Sequence, residues 1–472
     1  MPSFPAINLK PIALWAIGLA MAVFPLLTVD AQTRTLRIVT YNIEADISGL
    51  TPPLPGLIAP PGDTNNFQAG GVLEGIGEEV VGSDGAQPID ILALQETTSN
   101  SITVAPIVNG LNSFYGVAGM YSNSSYQATQ FGGKTNNGFG NGPNAVVFNT
   151  RTVQLLASLP VDPLGGANNL GSSSGEYREV MRYKFAPAGI TATATNEFYI
   201  YVSHYKAGAG AANEAYRLGE AQIIRTNEAI DLPATARVLY MGDYNVTYSG
   251  EAGYQTILSN TAPNGAHQGQ AIDPLNPTGN ATIVWGTNTA PPSILAMETE
   301  SATDLRYRDD LQLMTTNVCY GAPGGLKLVP GTYHVFGNNG TTSYFGSVNS
   351  GSNTALNNVL ATNGPVFISA AQLYLDLASA SDHLPVVADY TIPIPAPVLT
   401  GISLAGTNLV VTVDNSATGG VYLVLMSTNL SLPLSNWTVL ATNVANGGNF
   451  TLTATNAVNP AAPNRFYLLQ QR

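Results

Sequence analysis

The sequence predicts an α/β layered sandwich followed by a small all-β domain. Three observations carry this. Short apolar runs recur along the 472 residues, most with the length of buried strands. They mix with helical patterns, without the regular alternation of a barrel or a doubly wound sheet. Beyond Asp389 the character changes. A Pro-rich linker at 391–397 precedes turn-punctuated apolar runs, and from Val398 to Arg472 the only charged side chains are Asp414, Arg465 and Arg472.

Taken in order, residues 36–43 read as a strand, and Val72, Leu73, Ile76 and Val80 at helical spacing predict a helix over 69–81. Residues 89–96 are the next strand, and 121–144, rich in Ser, Asn and Gly, a long loop. Residues 145–149, 153–159, 181–185 and 198–206 read as strands. Asn213 is a candidate N-cap for a helix to Ile230, with Tyr216, Ala221, Ile224 and Ile230 as candidate buried positions. Strands follow at 238–245, 311–315 and 386–392, with a Gly/Asn/Ser/Thr-rich insertion at 337–364. The C-terminal runs are 402–405, 408–413, 421–426, 437–441, 449–453 and 465–469, the pattern of a small β-sandwich without a titratable cluster.

Charged residues make up only 10% of the chain, while Gly (48) and Pro (31) are plentiful, which predicts many turns and long loops. The net charge of −13 does not attract nucleic acid by itself. It leaves a phosphate substrate open, because a bound divalent cation reverses the local field. Lys10, the apolar run 11–29 and the small residues up to Ala31 predict a signal peptide over 1–31 and export to a secreted or cell-surface/periplasmic location. An uncleaved anchor is the alternative. The single cysteine, Cys319, has no internal disulfide partner and reads as a buried core thiol. No Cys/His spacing suggests zinc.

Polar chemistry sits at the ends of several predicted strands: Asn42, Glu96, His204, Asp243 with Asn245, Asp310, and the pair Asp382-His383. In Gly242-Asp243-Tyr244-Asn245 the carboxylate and the carboxamide fall on one side of an extended backbone. Each island has a bland reading. Gly, Asp and Asn are turn residues, Asn42 is a possible strand-end cap, Glu96 a solvated loop acid and His204 a satisfied core histidine. Arg178 between Glu176 and Glu179 reads equally as a surface ion pair. His267 and His334 lie in Gly/Asn-rich surroundings and read as solvated. A buried charged pair before a strand, as at Asp382-His383, is expensive unless used or partnered.

In this order, Tyr41-Asn42, Leu94-Gln95-Glu96, Tyr177-Arg178-Glu179, Ser203-His204, Gly242-Asp243-Tyr244-Asn245, Arg308-Asp309-Asp310-Leu311 and Ser381-Asp382-His383-Leu384-Pro385 resemble the motifs of the endonuclease/exonuclease/phosphatase superfamily, over about residues 35–390. The resemblance implies a DNase I-like four-layer α/β sandwich and a phosphohydrolase dependent on Mg²⁺ or Mn²⁺. It implies Asn42, Glu96 and Asp382 at the metal, with His204, Asp243, Asp310 and His383 catalytic. Tyr177, Arg178 and Asn245 would contact substrate phosphate. Asp310 fits the spacing to Leu311 and Leu313 better than Asp309 as the orienter of His383. The segment from there to His383 is longer than the family's usual length. The C-terminal runs resemble fibronectin III-like modules of exported bacterial proteins.

These residue types suit the chemistry. A hard divalent cation takes carboxylate oxygens and acts as a Lewis acid at a phosphate oxygen. Asp243 would orient or deprotonate water, and His383 would contact the phosphate or water. His204 would protonate the leaving oxygen, and Arg178 would stabilise charge on the phosphoryl group. The expected activity is phosphodiester cleavage of extracellular nucleic acid. A phospholipid or sphingolipid phosphodiesterase or a phosphomonoesterase is the alternative, with Tyr333–Phe336 and Tyr344-Phe345 as candidate lipid-facing loops. An inactive binding or adhesion protein on the same fold is the alternative of another class.

Overall fold

A computed structural model of the chain describes residues 32–45, 68–81, 85–97, 99–124, 143–161, 180–300, 302–322, 324–359, 369–394, 397–416, 420–445, 448–459 and 465–471. The predicted signal peptide and the segment holding Tyr177 and Arg178 lie outside these residues.

The strands of the large unit are β1 (Gln32–Asn42), β2 (Ile91–Gln95), β3 (Tyr121–Asn123), β4 (Ala145–Asn149), β5 (Val153–Pro160), β6 (Met181–Pro187), β7 (Phe198–His204), β8 (Val238–Asp243), β9 (Ala271–Ile272), β10 (Asp310–Thr315), β11 (Lys327–Leu328), β12 (His334–Val335) and β13 (Val386–Ile394). Its helices are α1 (Gln68–Glu78), α2 (Ala105–Phe114), α3 (Ala211–Asp231), α4 (Ala252–Leu258), α5 (Thr316–Cys319) and α6 (Ala370–Ala380). One sheet has the order β11-β13-β1-β2-β4-β3, with β12 also on β13; the other runs β5-β6-β7-β8-β10-β9. Within each, one central pair is parallel, β1 with β2 and β7 with β8.

The layers follow from side-chain alternation. On β1, Leu36 and Ile38 enter the core between the sheets, while Val39 and Tyr41 enter the core under α1, α2 and α6. On β8, Leu239 and Met241 face the first sheet, and Val238 and Tyr240 face α3 and α4. Strands buried on both faces become continuous apolar runs, which is why they were legible. The result is the expected four-layer α/β sandwich: helices, sheet, sheet, helices.

Several local expectations are corrected. Helix α3 begins at Ala211 behind Gly210, whose φ of 103° suits glycine. The expected N-cap Asn213 instead donates to the Ala209 carbonyl at 3.2 Å. Ile230 is 65% exposed, whereas Arg217, Glu220, Arg225, Asn227 and Glu228 are buried. They are buried because they are partnered: Arg217 pairs with Glu251, and Arg225 donates to the carbonyls of Thr256, Ile257 and Ser259. His334 is not simply solvated, since its Nε2 lies 2.9 Å from Glu79. Cys319 is half-buried at the edge of the inter-sheet core. Strand β13 continues to Ile394, so the first residues of the stretch 391–397 are strand; Pro393 lies beyond the end of the β11 pairing, where a missing N–H is tolerated. The described part of 337–364 is a docked loop. Asn353 donates to the carbonyls of Gly337 and Val348, and Asn338 to those of Leu295 and Glu298.

Where α1 packs on α6, Glu74 is buried near Glu78 and Asp376, and burial followed by these two charges pushes its carboxyl up to about 9. The folded state therefore holds a proton that the unfolded state releases near pH 4.5, and stability falls as pH rises between about 4.5 and 9. Glu74→Gln is expected to raise the Tm at pH 8 by roughly 2–4 °C, with the gain shrinking towards pH 4.5. Thermal melts across that range check it; an equal gain at both ends would contradict the assignment.

Beyond Ile394 the runs fold as β14 (Val398–Ala405), β15 (Asn408–Ser416), β16 (Val421–Ser427), β17 (Thr438–Val444), β18 (Gly448–Ala454) and β19 (Phe466–Gln471). They make two three-stranded sheets, β14-β15-β18 and β17-β16-β19. Leu409, Val411, Val424 and Leu452 form a shared core between them.

Candidate active site at the sheet ends

The ends of β1, β2, β7 and β8 and the start of β10 meet at one end of the two sheets. Strand register does much of the alignment: His204 is opposite Asp243 across the β7–β8 pair, and Asp310 is opposite Asp243 across the β10–β8 pair. Residues opposite one another share a face of the sheet, so one row carries all three. Gly242 makes the close approach possible. Its φ is 144°, and a Cβ there would collide with the Ser203 carbonyl.

Asp243 is the hub. Its Oδ2 accepts from Asn42 Nδ2 at 3.0 Å, lies 3.2 Å from His204 Nε2, and is 3.9 Å from His383 Nε2. Its Oδ1 accepts from the backbone N of Asn245 at 2.9 Å and from its Nδ2 at 2.8 Å. Glu96 brings Oε1 to 3.3 Å from His204 Nε2. On the other side, Asp310 Oδ2 lies 2.7 Å from His383 Nδ1. Burial pushes the Asp310 carboxyl up to about 6, against the pull of His383. Burial opposes charge on His383, yet Asp310 above all, then Asp243 and Asp382, hold its imidazole well above the usual histidine range.

The Asp309/Asp310 ambiguity resolves here: Asp310 faces His383, while Asp309 faces Glu300. Burial, and then that neighbour, hold the Asp309 carboxyl well above the usual range. Thr299 Oγ1 accepts from both backbone N–H groups at 3.0 Å. Ser381 ties the closing motif to the first, donating to the Asn42 carbonyl at 2.7 Å and accepting from His383 N at 3.0 Å.

Two expected roles shift. The Asn245 amide donates to Asp243 at 2.8 Å and to the Tyr205 carbonyl at 3.2 Å, so in the folded chain it holds Asp243. Asn42 likewise bridges, accepting from Glu44 N at 3.1 Å while donating to Asp243.

Two acids escaped the sequence reading. Glu44 Oε2 accepts from Asp382 N at 3.0 Å. Burial, with Asp382 next, pushes the Glu44 carboxyl up to about 7, and Asp382 is raised for the same first reason. Glu300 pairs through its backbone with His383. Glu44 was findable, because it is a carboxylate two residues beyond Asn42 at the end of a predicted strand. Glu300 lies three residues beyond the short apolar run 294–297, within an acidic Glu-Thr-Glu stretch, and was not singled out. Glu44, Glu96 and Asn245 have φ of 50°, 53° and 48°. Left-handed backbone at non-glycine residues concentrates at functional sites.

Two groups of side chains could each hold a cation: Glu96, His204 and Asp243; and Glu300, Asp382 and His383. Each residue offers one ligand atom, and within each group those atoms lie within 4.8 Å of one another. The surplus of carboxylate oxygen suits a hard divalent ion. Among the described residues no helix is long and apolar enough to cross a membrane.

No family model matches the chain. No curated protein matches it either. Among solved structures, it is similar to the human Nocturnin catalytic domain with bound sulfate anion at 15% identity, covering 76% of this chain and 97% of that one, with a TM-score of 0.40. Sphingomyelinase C from Streptomyces griseocarneus is 16% identical over 75% of this chain and 99% of its own, TM-score 0.38. An endonuclease/exonuclease/phosphatase family protein from Bacteroides thetaiotaomicron is 12% identical over 76% and 99%, TM-score 0.37. These likenesses are loose, and the reading of the site rests on its own geometry. In motif order, in four-layer architecture and in the meeting at one end of the sheets of the six motifs among the described residues, the chain resembles the endonuclease/exonuclease/phosphatase superfamily.

Proposed function

We propose that the chain is an exported, divalent-metal-dependent phosphodiesterase, with extracellular nucleic acid as its substrate. The observation that carries the hydrolase reading is the buried acid–histidine array around Asp243, flanked on one side by Glu96 and His204 and on the other by the Asp310–His383 pair. Export rests on the N-terminal apolar run, and nucleic acid on the resemblance of Ser203-His204 to the nuclease branch. Glu96 on one side, and Asp382 with Glu44 and Glu300 on the other, are the residues that would hold Mg²⁺ or Mn²⁺. When bound, such an ion supplies Lewis-acid charge neutralisation at the phosphoryl oxygens.

The chain's own groups do the rest. Asn42 and Asn245 fix both oxygens of Asp243, which leaves Oδ2 aimed between the two histidines to orient water and take its proton. Asp310 fixes the His383 ring through Nδ1, so that Nε2 faces the site as a charged donor towards an anionic phosphate. His204 is placed to hand a proton to the departing oxygen. The lipid alternative loses one candidate loop, because Phe336 is buried in a core and the Tyr333 hydroxyl accepts from Gln312 N.

The test is a substrate panel of DNA, RNA, sphingomyelin, and bis- and mono-p-nitrophenyl phosphate, with Mg²⁺ or Mn²⁺. DNA or RNA should be turned over fastest, and EDTA should abolish turnover until metal is restored. Activity that survives chelation would end the metal-dependent mechanism, and a preference for sphingomyelin would end the nucleic-acid assignment.

A further inference from the structure

The insertion between Asp310 and His383 returns to the rim of the site. Phe345 N donates to the Leu305 carbonyl at 3.1 Å, and Leu305 N donates to that of Gly346 at 3.0 Å. Val348 N donates to Ala302 O at 2.8 Å, and Ala302 N to Asp382 O at 2.7 Å. Residues 302–307 are thus strapped between the insertion and the Asp382-His383 motif. The Arg306 guanidinium lies 5.1 Å from the centre of the Tyr307 ring and 5.4 Å from that of Phe345, within cation–π range. Asn288 Oδ1 accepts from Arg306 Nη1 at 2.6 Å and from the Tyr307 hydroxyl at 2.8 Å, and Asp304 lies 3.2 Å from Nη2. Tyr344 packs edge-on against Phe345, with centroids 4.3 Å apart.

Phe345 is the anomaly. A bulky residue at φ 60° is a genuine outlier, yet its side chain is 45% exposed. The strain therefore secures only part of the ring's burial. It holds a ring at the surface, packed against Arg306 and Tyr344, on the segment that Leu305 and Ala302 strap to the Asp382-His383 motif.

We propose that Phe345, braced by Arg306 and Tyr307, is a stacking platform for the nucleobase beside the scissile phosphate. This rests on the nucleic-acid reading of the active site. Aromatic rings with arginine stack bases with little regard to sequence. The platform also supplies affinity that does not depend on a basic surface, in a chain of net charge −13. Its surroundings favour a base over a lipid tail: Thr341, Ser343, Gly346 and Ser347 flank Phe345 in sequence, and the Arg306 that adjoins it in space is itself held by Asn288 and Asp304. A lipid-inserting loop needs a larger contiguous apolar patch.

The experiment is calorimetric binding of thymidine 5′-monophosphate and of ribose 5-phosphate to the full chain with Mg²⁺. The nucleotide should bind about tenfold tighter or more. Phe345→Gly, which relieves the positive φ and so keeps the loop foldable, should erase that preference, and Phe345→Tyr should retain it. Equal binding of the two probes, an equal loss for both in Phe345→Gly, or no nucleotide binding would overturn the platform. So would Phe345-dependent binding to sphingomyelin vesicles in place of nucleotide. Because binding is read without turnover, a chain that keeps the preference but hydrolyses nothing would lose the hydrolase reading alone. One that hydrolyses DNA without the preference would lose the platform alone.

Discussion

Asp243→Asn is expected to lower kcat for phosphodiester hydrolysis about 10³-fold, within the range of lost acid–base help, while the protein stays folded by circular dichroism. Both carboxylate oxygens of Asp243 are acceptors in the folded chain, Oδ2 for Asn42 and Oδ1 for the two nitrogens of Asn245. An asparagine can accept on one side only and must turn its NH₂ towards a donor on the other. It also lacks the basicity to take a proton from water between His204 and His383. Two defects, one of geometry and one of chemistry, fall on one atom pair. A rate within threefold of the parent would remove Asp243 from the centre of the mechanism.

Asp310→Asn should slow turnover about 10²-fold and move the alkaline limb of kcat/KM to lower pH. The sign follows from His383. Its imidazole is held above the usual range chiefly by Asp310, against the opposing effect of burial. The charged form, which faces the anionic phosphate, exists below that raised value. Removing the Asp310 charge lets burial lower it, so the charged form is lost at a lower pH. His383→Ala should lose the limb altogether along with most activity. A pH–rate profile for the three proteins separates this from a merely structural role, since a packing defect would lower the whole curve without shifting it.

Much of the layered core was readable because its strands are buried on both faces. Residues 145–149 and 238–241 admit no polar side chain before the strand end, and the folded β4 and β8 follow those runs. Helices were harder. In α6, Leu373, Leu375 and Leu377 alternate like a strand, but only Leu373 and Leu377 are buried, one helical turn apart, while Leu375 is exposed. In α3 half of the buried residues are charged, and periodicity of apolar residues finds Ala221 and Ile224 but misses positions held by ion pairs such as Arg217–Glu251. Of the candidate site, His204, Asp243, Asp310 and His383 were legible because each ends or begins an apolar run. Glu300 was not singled out, and Phe345 was marked only as part of an aromatic pair in a loop, which says nothing of where that loop docks.

By itself, then, the sequence determined most of the longer strands, the change in character after Asp389 and the set of acids and histidines at strand ends, since these depend on local pattern. The short β9, β11 and β12, and β3 within the expected loop 121–144, were not marked. Only the tertiary structure decided which of them meet. Asp310 rather than Asp309 reaches His383, Asn42 and Asn245 brace Asp243, and Glu44, Glu300 and Phe345 join the rim. Those outcomes depend on register between strands far apart in the chain and on backbone turns into the left-handed region, neither of which a one-dimensional pattern encodes.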